Sequence, residues 1–378
     1  MFYYVSIKFV DLMHFIFITY IKLKNLNFFF FLDFIFSIII CVVLILFVLI
    51  SVAFFTLLER KKLASFQRRR GPNVEGSING ILQPIADGFK LIFKESILPS
   101  NSLNKIFILA PIMAFWLGFA GWCFLPFGNY VLSNINYGIF FIFIISILHV
   151  YSVILAGWSS NSKYSFFGAL RSSAQLIAYD LTIGLIILIL FLSSKSLNIL
   201  DLVVCQQNIG FFLFYYPILF VFFFICSLAE TNRHPFDLPE AEAELVSGYN
   251  VEYSALGFAL FFLGEYAAIL FMSMFICNLF LGGSWIFFFQ IDYLTILNDF
   301  FCFKFFKILL CCFKPTVIIF LFLISRALIP RYRYDQLMYI GWKFLLPLTL
   351  VTFIFNLIIF YYLSEIDSFN VIIIKNLS

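Results

Sequence analysis

Six of the chain's twenty carboxylates fall within 23 residues: Glu230, Asp237, Glu240, Glu242, Glu244 and Glu252, with Arg233 as the one arginine among them. Asp237 followed by Glu240 makes a D-x-x-E capping signal and predicts a short helix running to about Gly248. On that helix Glu240 and Glu244 would share a face, where like charges repel. Beside a low-dielectric boundary, one of such a pair holds its proton more tightly. The plainer reading is a solvated acidic face at a helix start. Two further acids, Asp180 and Glu265, stand inside long apolar runs. Acids in such runs commonly belong to proton or ion paths, or else pair with a neighbouring helix.

The cations are grouped as well. Between Arg60 and Arg70, six fall in eleven residues, directly after an apolar run and beside Glu59. They suit a collar for lipid phosphates, but Arg68 runs into Gly71-Pro72, a turn that would aim it. From Leu82 to Glu95, Ile85, Phe89, Ile92 and Phe93 recur at helical spacing around Asp87, with Lys90 and Lys94 opposite. That pattern is an amphipathic helix lying in a membrane interface. Arg326, Arg331 and Asp335 bracket an Arg/Tyr alternation, suited to an interfacial belt or a cation–aromatic wall.

The elements that must hold these groups follow from composition. Residues are 63% apolar and 12% charged, about half the charge of a soluble domain. A soluble enzyme, a disordered chain and a nucleic-acid-binding module are excluded. The fold class is all-α and polytopic, with amphipathic helices in the inner loops. Eight spans of sufficient length lie near 34–58, 106–127, 138–158, 173–192, 209–229, 254–280, 308–328 and 341–363. Lys314 and Pro315 interrupt the seventh, which predicts a start near Pro315. Sixteen of the 24 Lys and Arg residues fall in the loops after odd-numbered spans, which places those loops inside and both termini outside. Residues 1–33 read as a surface or interfacial extension, 34–363 as one membrane domain and 364–378 as a tail. No Cys-x-x-Cys, phosphate-binding loop or H-E-x-x-H occurs, and His14, His149 and His234 are scattered. A redox centre or metal site in this chain is not expected. A stand-alone proton-coupled transporter is disfavoured, because no internal repeat is visible. The combination suits an amphiphilic ligand entering from the bilayer, coupled to protonation.

At Glu59–Asn73 with Leu82–Glu95, Leu155–Arg171, Ala229–Tyr253 and Arg326–Trp342, the chain resembles the membrane subunit 1 family of respiratory complex I, over about residues 34–363. The resemblance implies a core subunit of a proton-pumping NADH:quinone oxidoreductase. Ubiquinone would be its substrate, with FMN and iron–sulfur clusters in partner subunits and nothing covalently bound here. Partners would be the iron–sulfur subunit beside the quinone site, neighbouring membrane-arm subunits and lipids. Glu59, Arg60, Arg68, Asp87, Arg233, Asp237, Arg326, Arg331 and Asp335 would line the quinone channel. Asp180, Glu230, Glu240, Glu242, Glu244, Glu252 and Glu265 would couple it to protons. A related hydrogenase or plastid dehydrogenase-like complex is the alternative setting. Asp180 stands where the family pattern has Glu, one methylene longer.

Phe numbers 57 of 378 residues. Lipid-facing positions, which ask only for apolar bulk, can absorb such an excess. Phe, Ile, Asn, Lys and Tyr share AT-rich codons, which favours a mitochondrial inner membrane over a bacterial plasma membrane.

Overall fold

The computed structural model describes residues 30–76, 80–127, 131–237, 248–283 and 301–377. Side chains are described from Ile38 to Tyr362 within these, apart from those of 208 and 301–310. Seven helices are long and apolar enough to cross a membrane, and the shorter apolar helix Pro217–Glu230 makes an eighth candidate. An all-α polytopic membrane protein is the result.

The helices are α1 (Phe30–Phe66), α2 (Gln83–Phe93), α3 (Asn104–Ala120), α4 (Gly138–Ser159), α5 (Lys163–Ser194), α6 (Ile199–Ile209), α7 (Pro217–Glu230), α8 (Ala255–Phe280), α9 (Phe301–Leu328), α10 (Tyr334–Tyr339) and α11 (Leu346–Leu377). Helix α8 is the hub, packing against α1, α2, α3, α6, α7 and α9. Helix α5 is the second axis, against α4, α7, α10 and α11. These are also the most buried of the long helices, so Glu265 on α8 and Asp180 on α5 ride the best-packed elements.

The expected span boundaries need correction. The fifth span does not begin at 209. Gly210, at φ 117°, ends α6, and Pro217 opens α7. The seventh is not cut at Pro315. Helix α9 runs through it, and Lys314 reaches back to the end of α8, donating to the carbonyls of Leu281 (2.5 Å) and Gly283 (2.9 Å). Phe also fills the interior: Phe55, Phe212, Phe223, Phe261, Phe275 and Phe280 are among the largest fully buried side chains. Helix α1 carries on past its expected end at 58, so Glu59 and Arg60 sit on its last turns. The last helix reaches Leu377 without a break at 363. The helix expected over Asp237–Gly248 lies outside the described residues, except at its ends, as do 1–29 of the N-terminal extension.

Backbone contact sets the central crossing. A Cβ on Gly118 of α3 would stand 3.1 Å from the Gly264 carbonyl oxygen, and one on Gly264 would stand 3.1 Å from that of Ala114. Small residues at such a crossing let helices pack where no hydrophobic force drives them together. Gly88 on α2 has nothing within 4 Å. Gly264→Val should therefore lose about 1–3 kcal/mol through overpacking, read as a lowered unfolding temperature in mild detergent. Gly88→Ala should hold that temperature or raise it slightly.

Candidate functional site: a buried carboxylate and its guanidinium partners

Glu59 is 4% exposed. A buried carboxylate is costly unless it is paired and hydrogen-bonded, and three neighbouring elements supply its partners. Arg233, just beyond α7, donates to Oε1 at 2.9 Å. Arg326 of α9 donates to the same oxygen. The Tyr266 hydroxyl of α8 donates to Oε2 at 2.6 Å. The Arg233 guanidinium also lies 4.2 Å from the centre of the Tyr266 ring. That ring packs on Phe262 at 4.3 Å and meets Phe55 edge-on at 5.6 Å. The chain neighbour Arg60 points elsewhere, to Asp87 of α2 at 2.6 Å, and Gln83 donates to the same carboxylate at 3.3 Å. Adjacent residues on a helix do not share a face, so Glu59 faces the bundle while Arg60 ties the amphipathic helix to it. On α2, Ile85, Phe89, Ile92 and Phe93 are exposed, as an interfacial helix requires.

A second layer holds the loop after α7. Gln175 of α5 donates one amide nitrogen toward the Ala229 carbonyl (2.8 Å), the Phe236 carbonyl (2.9 Å) and the Asn232 side chain (3.3 Å). Arg331 pairs with the buried Asp237 at 3.1 Å. Tyr332 donates its backbone N–H to the Pro235 carbonyl at 3.1 Å. The Phe236 ring stands 5.6 Å from that of Tyr332 and 5.7 Å from that of Tyr179. Arg171 stacks over Tyr334 at 5.7 Å.

Behind this layer, Asp180 and Glu230 line one cavity of about 60 Å³, together with His149, Ser146 and Thr231. Glu230 Oε2 is buried there with no hydrogen-bond partner among the described residues. The volume admits on the order of four waters, and the lining offers the polar contacts they need. Glu265 accepts a hydrogen bond from the buried Tyr249 hydroxyl at 2.7 Å.

The structure thus joins Glu59, Arg233 and Arg326 in one cluster. It pairs Arg60 with Asp87 and Arg331 with Asp237, and brings Asp180 to Glu230. It does not bring in Asp335, whose side chain is 79% exposed and 3.7 Å from that of Arg333. Arg68 is exposed at the end of α1, and Glu252 is half-buried near the start of α8. Glu240, Glu242 and Glu244 lie outside the described residues. Sequence reasoning missed Tyr266 and His149. For Tyr266 there was no local signal. His149 was an ionisable residue inside an apolar run, the criterion applied to Asp180 and Glu265.

The chain matches the family profile described as NADH dehydrogenase over residues 39–357. An NADH-ubiquinone oxidoreductase chain 1 of Chondrus crispus is 52% identical over 310 residues, 82% of this chain and 92% of that protein. The chain 1 of Cyanidium caldarium is 51% identical over 303 residues, 80% and 85% of the two chains. A bacterial NADH-quinone oxidoreductase protein, from Rickettsia canadensis, is 51% identical over 305 residues, 80% and 87% of the two.

The geometry ranks two substitutions. Glu59→Ala leaves two guanidiniums facing a hole and should cost about 3–5 kcal/mol. Tyr266→Phe removes one charge-assisted bond and should cost about 1.5–3 kcal/mol. Thermal unfolding of the detergent-extracted assembly checks the order. His234, beside the cluster, is held below its ordinary 6.5 by burial, then by Arg331 and Arg326. Above 6.5 the imidazole is neutral in folded and unfolded chains alike, and its contribution to stability is fully present. As pH drops below that value the unfolded chain takes up the proton first, so the fold weakens with acid. His234→Gln should flatten the change in unfolding temperature between about pH 7 and pH 5.

Proposed function

The chain belongs to the NADH dehydrogenase family, alongside chain 1 of NADH-ubiquinone oxidoreductase and its bacterial relatives, and we propose that it serves as the core membrane subunit of a proton-pumping NADH:quinone oxidoreductase. In this reading it forms the quinone channel and turns quinone reduction into carboxylate protonation changes. The supporting observation is the shared Glu59 carboxylate, a buried ionic cluster beside an amphipathic helix whose apolar face is open. A quinone has a polar ring and an apolar tail. Its tail suits the exposed Ile85, Phe89 and Ile92, and its ring suits the donors around Glu59, with Arg60 and Asp87 between them. Arg68, Arg331, Asp237 and Asp335 complete the inner wall, where the iron–sulfur partner docks and supplies the electrons.

A change of charge at the Glu59 cluster reaches Glu230 through the loop that carries Arg233. Across the small cavity Glu230 faces Asp180, so one carboxylate can pass a proton to the other through water. Glu265, Glu252 and the acids Glu240, Glu242 and Glu244 extend the path. The membrane would be the mitochondrial inner membrane, with both termini toward the intermembrane space; a bacterial plasma membrane is the alternative.

Asp180→Asn and Glu230→Gln should each lower NADH:quinone turnover and proton pumping together by several-fold, while the assembly still migrates intact on a native gel. Wild-type turnover and pumping in both variants would end the coupling role. A photoreactive quinone-site inhibitor should label residues between Glu59 and Glu95, and labelling confined to other subunits would count against a channel here. Co-migration with NADH dehydrogenase activity, rather than with hydrogenase activity, separates this assembly from its relatives.

A further inference from the structure

Helix α5 carries Gln175 near the charged cluster. Its last residue, Ser194, lies nineteen residues further on, about 28 Å along the axis. At that far end is a second cavity, of about 610 Å³. One wall is the start of α4 at Tyr137; the other is the end of α5 with the turn into α6. A bond from the Asn198 amide nitrogen to the Asn134 side-chain oxygen, at 2.8 Å, holds the two walls together.

The lining combines two characters. Leu188 and Leu192 are one helical turn apart and make an apolar strip with Phe191. Above it stand three polar groups. Lys195 ends α5 in a left-handed conformation, φ 57°, and is the first residue past the apolar helix. Asp201 lies in the first turn of α6. Both are exposed, and neither makes an ion pair among the described residues. The Ser196 hydroxyl is buried with no hydrogen-bond partner among the described residues. Unsatisfied buried hydroxyls are uncommon and call for a partner.

A cation directly past an apolar span lies at headgroup depth. Tyr137, 59% exposed, belongs to the same interfacial belt. The ligand that matches has an anionic group for Lys195 and Ser196, a hydrogen-bonding cation for Asp201 and an apolar chain for the Leu188–Leu192 strip. A phosphodiester, a primary ammonium and an acyl chain meet all three demands. A choline headgroup does not, because its quaternary nitrogen has no N–H to donate to the carboxylate. We propose that this cavity is a binding site for an ethanolamine phospholipid, with its phosphate on Lys195 and Ser196, its ammonium on Asp201 and an acyl chain along Leu188 and Leu192.

The test uses the whole assembly in its native membrane, with photoactivatable ethanolamine and choline phospholipids of identical acyl chains. The ethanolamine probe should label peptides within residues 188–201 in preference to the choline probe. Lys195→Ala and Asp201→Asn should each reduce that labelling roughly tenfold, as loss of a charge-assisted hydrogen bond predicts. Both positions are exposed, and intact migration on a native gel confirms that the variants assemble. Equal labelling by the two probes, or labelling unchanged in both variants, would overturn the proposal. So would displacement of the probe by soluble phosphoethanolamine alone, since the apolar strip would then contribute nothing. Crosslinking of these residues only to another polypeptide would show a protein in the cavity and would also overturn it.

Discussion

A carboxylate out of water needs partners, and most of what surrounds Glu59 meets that need. Three donors from three separate elements converge on its two oxygens. Each constrains the element it comes from: Arg233 fixes the loop after α7, Arg326 the end of α9, and Tyr266 the rotation of the hub helix. Burial of this kind adds little net stability. Its effect is to make one arrangement of four elements much better than any other. A charge change in the neighbourhood is consequently felt by all four at once.

The layers behind the cluster follow the same rule with weaker partners. Gln175 satisfies the turn at the end of α7, Arg331 pairs with Asp237, and Tyr249 donates to Glu265. The cavity between α3, α4, α5, α7 and α8 is different, because Glu230 keeps a buried oxygen there without a hydrogen-bond partner among the described residues. Polar groups at that point are left for water. Glu265 is held by a tyrosine, whereas the Asp180–Glu230 pair shares a cavity large enough for water.

The spans were legible because apolar length is a one-dimensional signal. Length alone misled at the short α7, whose start is set by Gly210 and Pro217; at α9 it was the Lys314–Pro315 pair that misled, since a continuous helix passes through both. The amphipathic α2 was legible from periodicity. The partners of Glu59 were not, since they lie 174, 207 and 267 residues away in the chain, while the adjacent Arg60 turns to Asp87. No local pattern predicts which distant guanidinium reaches a buried acid. His149 was within reach of sequence reasoning, had ionisable residues of both signs been sought in the spans. Asp335 stands apart from the cluster, exposed beside Arg333; an Arg/Tyr alternation does not say which groups its residues meet.

Lys314 bears on how the bundle is built. A lysine at the centre of a transmembrane helix costs about 2.5–3.5 kcal/mol to insert, and less toward the ends. Here its ammonium is taken up by carbonyls at the end of α8, with the Phe211 ring 4.7 Å away. Helix α8 precedes α9 in the chain, so these carbonyls are already present when α9 emerges during synthesis. Helix α9, the sixth of the seven long helices, thus carries a lysine whose carbonyl partners lie at the end of the long helix before it, so docking against α8 offsets the cost of placing that charge in the bilayer.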